Sequence, residues 1–164
     1  LAPAAAEAGA GQLSAGPDGL YMNLEVSIDA GRVIGKLDPA LLAAEIPRIA
    51  QTLVELGEQR LDEMLRPRPA GVYLTVSQAG KGRASTGHYR RNVSGRVTGN
   101  VGRISDGGVV YGPWLEGVGA RNQTTRFKGY ASFRRALSVT REAAPRLVEP
   151  ITREAVRRMG GGAA

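Results

Sequence analysis

The 164-residue chain has no cysteine and one histidine, His88. Disulfides and thiolate metal sites are therefore excluded, and a reducing cytosol suits the chain. No apolar run approaches the length of roughly 18 residues that a membrane-spanning helix needs. The first ten residues lack a basic n-region and a long apolar h-region, so no secretory signal and no membrane contact are expected. Aromatic residues are sparse, with one Trp, five Tyr and two Phe. Lysine is rarer still: Lys36, Lys81 and Lys128 are the only three among 22 basic residues, and the rest are arginine. The planar guanidinium fork pairs bidentately with carboxylate or phosphate, although arginine-favouring codon usage is an alternative source of the excess.

Catalytic patterns are equally thin. A triad needs a base and an orienting acid that converge in space, and the neighbours Ser85, Thr86 and Tyr89 of His88 do not supply them. A metal site would need carboxylates near His88, where the sequence has almost none. Gly80-Lys81-Gly82 is not a phosphate loop, because Thr75 and Gly82 stand where glycine and a hydroxyl residue belong. Gly117-Val118-Gly119 fails as a dinucleotide fingerprint at Asn122. Glu116, alone in a basic segment, reads as a salt-bridge or capping partner rather than an acid catalyst. No catalytic residue, metal or cofactor is expected, and the chain reads as a non-enzyme.

Charge is unevenly spread. Residues 1–76 hold 6 basic and 10 acidic side chains, 77–135 hold 11 and 2, and 136–164 hold 5 and 3, for a net charge of +7. The basic middle is the part with a partner to find.

The length and 42% hydrophobic content suit one domain, expected over 20–159, with a flexible Ala/Gly/Pro-rich arm at 1–19 and a disordered tail at 160–164. Alternating Met22, Leu24, Val26 and Ile28 predict a strand, closed by a turn at Asp29-Ala30-Gly31. Asp38-Pro39 is a helix start, and Leu42, Ile46, Ile49, Leu53, Leu56 and Met64 carry one apolar face to about Arg66, with a kink or split expected at Pro47. A strand is predicted over 71–76, a loop over 77–86 and a short turn or helix over 87–92. Alternation over Val93–Ile104, with Val93, Gly95, Val97, Gly99 and Val101 on one side, followed by a turn at Asp106-Gly107-Gly108 and a return through Val109-Val110-Tyr111, predicts a hairpin. From Phe133 to Met159 an apolar helical stripe is interrupted by Pro145 and Pro150. These elements suit an α+β fold: a small, mostly antiparallel sheet of three to four strands packed by two long helices, with long loops.

Three motifs occur in order across about residues 39–158: Thr86-Gly87-His88-Tyr89-Arg90, Tyr111-Gly112-Pro113-Trp114-Leu115-Glu116-Gly117, and Phe133-Arg134-Arg135-Ala136-Leu137. The set resembles the minor tail, or tail-completion, proteins of long-tailed double-stranded DNA phages, which sit at the neck between head connector and tail tube. The resemblance implies a structural virion protein made in the host cytoplasm. It would form a ring with itself, as a hexamer, and meet a head-connector protein on one side and a tail-terminator or tail-tube protein on the other. Tail-terminator and head-closure ring proteins share the same features. A different class, a basic non-specific nucleic-acid-binding module, is the alternative, though the chain has no helix-turn-helix, zinc or RNA-binding signature.

The interface or lumen candidates are Arg83, Arg90, Arg91, Trp114, Glu116, Arg121, Arg126, Lys128, Arg134 and Arg135. Most are expected to meet acidic protein surfaces, because DNA has to slide through a neck, while one loop in the lumen is compatible with non-specific contact to genomic DNA. The 77–86 and 117–128 loops are expected to be mobile until they meet neighbours. Trp114 and Tyr111 either fill the core where hairpin and helices meet, or Trp114 anchors a subunit interface.

Overall fold

A computed structural model describes residues 12–16, 19–25, 39–66 and 87–160; the side chains of 12–25, 39–42 and 159 are not described. The fold class is α+β, with a small antiparallel sheet covered by helices. Strands β1 (Gln12–Gly16) and β2 (Gly19–Glu25) lead to helix α1 (Pro39–Leu65). A single-turn helix α2 (His88–Asn92) then feeds strands β3 (Ser94–Thr98) and β4 (Val101–Ser105). Two short helices, α3 (Gly112–Glu116) and α4 (Arg121–Thr124), precede the C-terminal helix α5 (Ser132–Gly160). The predicted strand over 71–76, the 77–86 loop with Arg83, and the turn at 29–31 lie outside the described residues.

The hairpin closes earlier than the sequence pattern suggests. β3 and β4 pair antiparallel, with Thr98 opposite Val101 and Arg96 opposite Arg103. The connection is Gly99-Asn100, with Gly99 at φ 60°, the positive φ that a two-residue loop with glycine first requires. The chain does turn at Asp106-Gly107-Gly108, as expected, but that turn does not close the hairpin. A two-residue loop reverses which parity faces inward, so Val97 and Gly95 share a face with Gly102 and Ile104, not with Val101. Residues 109–111 form no strand; they turn into α3, with the Gly112 amide donating to the Val109 carbonyl and Val110 96% exposed.

β2 pairs with β4 and β1 with β2, giving the order β1-β2-β4-β3. The arm expected over 1–19 therefore contains a strand. β1 is ordered by pairing, with Leu13 opposite Met22 and Ala15 opposite Leu20.

α1 covers one face of the β3–β4 hairpin and packs along α5. Ile49, Leu53, Val54, Leu61 and Leu65 from α1 meet Phe133, Ala136, Leu137, Ala144, Val148 and Ile151 from α5, with Ile104 and Tyr89 completing the core. Leu56 is only half-buried; the α1 stripe runs through Leu61 and Leu65, one step around from the positions expected. The helices run antiparallel, since Arg158 near the end of α5 donates to buried Glu45 near the start of α1 at 2.7 Å. The prolines do not divide either helix. Pro47, Pro145 and Pro150 are all exposed, as are Ala43, Arg141 and Arg146 four residues before them, so water can satisfy the carbonyls that lose a donor. Gly160, expected in the tail, instead ends α5, and residues 161–164 lie outside the described residues.

Contact between α1 and the hairpin leaves no space at Gly95. A Cβ there would stand 2.3 Å from Val54 Cγ1 and 2.8 Å from the Glu58 carboxyl carbon, while the Gly95 amide donates to Glu58 Oε1. Glu58 thus also occupies a donor on β3, which is an edge strand among the described residues. Gly95→Ala is expected to cost about 1–3 kcal/mol by overpacking, measured by denaturant unfolding.

Asp62 ties α1 to α2. Its carboxylate accepts from Arg90, and then from Arg66, which hold it below the ordinary carboxylate range. A lowered folded-state pKa contributes stability above the unfolded value that is lost as pH falls through the folded value. Asp62→Asn is therefore expected to destabilise modestly at neutral pH. The difference should vanish in acid, as read from paired unfolding curves across pH.

Candidate joining surface

Residues 112–130 form a compact lobe at the start of α5, built largely from polar contacts. At its base Glu116, 1% exposed, reaches across seventeen residues to the first turn of α5. Its Oε2 accepts from the Phe133 amide at 3.0 Å and its Oε1 from the Arg134 amide at 3.0 Å. These amides belong to the first turn of a helix, where no intrahelical acceptor exists, and a carboxylate there also meets the positive end of the helix dipole. Arg134 completes the joint by donating to the Glu116 carbonyl at 3.0 Å, with its Nε 3.5 Å from the carboxylate. Glu116 is the capping and salt-bridge partner that its isolation in a basic segment suggests. The residue before α5, Ala131, sits at φ 53°, a left-handed conformation that costs a non-glycine residue about 1 kcal/mol or more and is held by what surrounds it.

Two glycines let the lobe fold back on itself. Gly117 (φ 90°) and Gly129 (φ 87°) cross so closely that a Cβ on the first would stand 2.1 Å from the Lys128 carbonyl oxygen, and one on the second 2.3 Å from the Gly117 nitrogen. The Tyr130 amide donates to the Leu115 carbonyl at 2.6 Å beside the crossing. No side chain fits in that space, and the positive φ favours glycine in any case.

Asn122 organises the tip. It is 4% exposed and uses both ends of its amide: Nδ2 donates to the Trp114 and Phe127 carbonyls at 2.9 and 3.1 Å, and Oδ1 accepts from the Gly119 amide at 3.1 Å. Lys128 Nζ donates to the Asn122 carbonyl at 2.8 Å. A buried amide with its bonds made fixes one geometry, since any other would strand polar atoms. The 117–128 segment, read from the sequence as a loop, thus holds a short helix and a polar core. The aromatic side chains add to it, with Trp114 and Phe127 ring centroids 4.6 Å apart and Phe127 and Tyr130 4.9 Å apart.

The candidate residues divide accordingly. Trp114 is half-buried and Tyr111 is 42% exposed, so neither fills the core; Phe133 and Tyr89 do. Arg90 is committed to Asp62, while Glu116, Lys128 and Arg134 hold the lobe together. Arg121 and Arg126 stand exposed on the lobe, Arg135 on α5 and Arg91 on α2. Val118, 49% exposed, adds an apolar side chain to the lobe. From Gly107 to Arg141 the only acidic residue is Glu116, and it is buried, so the lobe presents positive charge and aromatic surface without an exposed carboxylate. Asn122 was missed in the sequence; the glycines at 117, 119 and 129 around it are the available signal.

His88 is exposed beside Tyr111, and among the described residues no three His, Asp or Glu side chains gather as a metal site would need. Burial, reinforced by the carboxylates of Asp106 and Glu116, pushes the Tyr89 phenol far above its ordinary range, so it stays neutral. No helix among the described residues is long and apolar enough to cross a membrane. No protein-family model, curated protein or solved structure matches the chain.

Removing the Glu116 carboxylate strands two amides at the start of α5 and frees Arg134. Glu116→Ala is expected to cost about 2 kcal/mol or more, and Glu116→Gln less, since the amide oxygen still accepts one bond. Chemical denaturation of the three proteins measures the ranking.

Proposed function

We propose that this protein is a structural component of a phage neck or tail, a non-enzymatic subunit that assembles as a ring at the head–tail junction, joins or completes the tail and lets DNA pass. In this reading the four-stranded sheet and the two long helices form the rigid body, and the 112–130 lobe is the joining surface. The observation that carries it is the lobe itself: Trp114, Phe127 and Tyr130 packed at tilted and edge-on angles over a hydrogen-bonded frame, with Arg121 and Arg126 exposed beside them. Tyrosine, tryptophan and arginine are the residues that anchor protein interfaces, and a surface already ordered before docking loses less entropy on binding. Its positive charge suits an acidic surface on a neighbouring subunit, connector or tail protein. The resemblance of the three ordered motifs to tail-completion proteins supplies the setting, including the hexameric ring and the virion location.

The test separates folding from joining. Arg121→Glu and Arg126→Glu, at exposed sites, are expected to leave the melting temperature unchanged while abolishing self-association in sedimentation and tail joining in a complementation assay. Trp114→Ala is expected to lose both assembly and about 2 kcal/mol of stability, because its ring packs on Phe127. Complete, infectious tails built from the Arg121→Glu protein would remove the lobe from the joining mechanism.

A further inference from the structure

A cyclic ring of more than two subunits is built by head-to-tail contact between two different surfaces of the same chain. The lobe supplies one of them, and the second has to match it in charge. Arg121 and Arg126 are exposed and enter no ion pair among the described residues. Their guanidinium groups are available to a carboxylate on a neighbour.

The chain's own surfaces divide by charge. β3, β4 and their Gly99-Asn100 loop contain no acidic residue, and α5 carries seven arginines against three carboxylates, so both repel the lobe. α1 has the opposite balance, with Glu45, Glu55, Glu58, Asp62 and Glu63 against Arg48 and Arg60. Leu53, Val54, Leu61 and Leu65 turn one side of this helix to the core. On the other side Gln51, Glu55, Gln59 and Glu63 recur every four residues and are all exposed, a stripe about 18 Å long. Gln51 donates to Glu55 at 2.8 Å and Gln59 to Glu63 at 3.2 Å, which holds the carboxylates along the helix. Several of the acids are used within the subunit: Glu63 pairs with Arg60, Asp62 with Arg66 and Arg90, Glu45 with Arg158, and Glu58 accepts from the Gly95 amide. Glu55 is different. At the middle of the stripe it accepts from the neutral Gln51 amide and has no cation beside it among the described residues.

We propose that the lobe of one subunit docks on the Gln51, Glu55, Gln59 face of α1 in a second copy of this chain, with Arg121 and Arg126 meeting Glu55. This rests on the reading of the lobe as a joining surface and names its partner. The charges match in sign, so the contact is steered as well as held. The half-buried Trp114 and Phe127 supply the aromatic anchors, and the stems of Gln51 and Gln59 on either side of Glu55 are the surface they cover. Lobe and α1 stripe are different surfaces, so each subunit offers one to each neighbour and the contact repeats in one direction.

Sedimentation velocity of the full chain over a range of protein and salt concentration tests it. The parent is expected to self-associate, less so as salt rises. Glu55→Arg should weaken association by about tenfold or more with the melting temperature unchanged. Glu142→Arg, the same change of charge at an exposed site on α5, should associate as the parent does. A mixture is the sharpest arm: the Glu55→Arg and Arg121→Glu proteins, each deficient alone, should assemble together, because the intact lobe of the first meets the intact α1 of the second and the two reversed side chains attract in the next contact. Parent-level association of Glu55→Arg, or a mixture that stays unassembled, would overturn the proposal. If Arg121→Glu loses tail joining while Glu55→Arg associates as the parent does, the lobe remains a joining surface for a different protein and this contact alone is overturned. A parent that stays monomeric throughout would overturn the contact together with the ring.

Discussion

Glu116 ties together parts of the chain that would otherwise be independent. A helix of 29 residues begins at Ser132 without an acceptor of its own for its first amides, and the Glu116 carboxylate supplies two. The same residue ends α3, so the point that starts the C-terminal helix is also the base of the lobe. Arg134 then returns a bond to the Glu116 backbone, closing the joint from the other side. Because the carboxylate is buried, leaving it or its partners unpaired is costly, and the lobe and the helix are coupled in one arrangement.

From that joint the two long helices carry order through the body. Phe133, the first core residue of α5, has its amide on Glu116 and its ring buried at an edge-on contact with Tyr89, 6.5 Å between centroids. Arg90, next to Tyr89, binds Asp62 on α1. At the far end Arg158 and Glu45 close the antiparallel pair. The exposed basic residues therefore sit on a frame fixed from several directions. That is the physical basis for reading them as surfaces for partners rather than as loose solvated charge.

Much of the frame was legible in the sequence. The α5 stripe at Phe133, Leu137, Ala144, Val148, Ile151 and Ala155 is buried as its spacing predicts, because a helix with one apolar face has one way to lie on a core. The short helix at 88–92 and the Pro39 helix start are likewise local signals. Where local signals compete, the pattern alone does not decide. Two glycine-containing turns stood eight residues apart, and the hairpin closed at Gly99-Asn100 because pairing Gly95 with Ile104 lets α1 approach a strand with no side chain in the way. β1 has too few apolar residues to announce itself and is ordered by its partner strand. The lobe was hidden for another reason: apolar periodicity detects hydrophobic cores, whereas Asn122 organises this segment by hydrogen bonds to backbone carbonyls, which any sequence presents.

The central claim is that the lobe is ordered in the free subunit, ready to dock. Amide hydrogen exchange of the isolated protein tests it most directly, through the amides of Asn122, Tyr130, Phe133 and Arg134, all bonded within the lobe or to Glu116. The account predicts that these amides are protected, and that Glu116→Ala lowers the protection of Tyr130 together with that of Phe133 and Arg134. Exchange of Asn122 and Tyr130 at unprotected rates, while the β3–β4 amides stay protected, would contradict it.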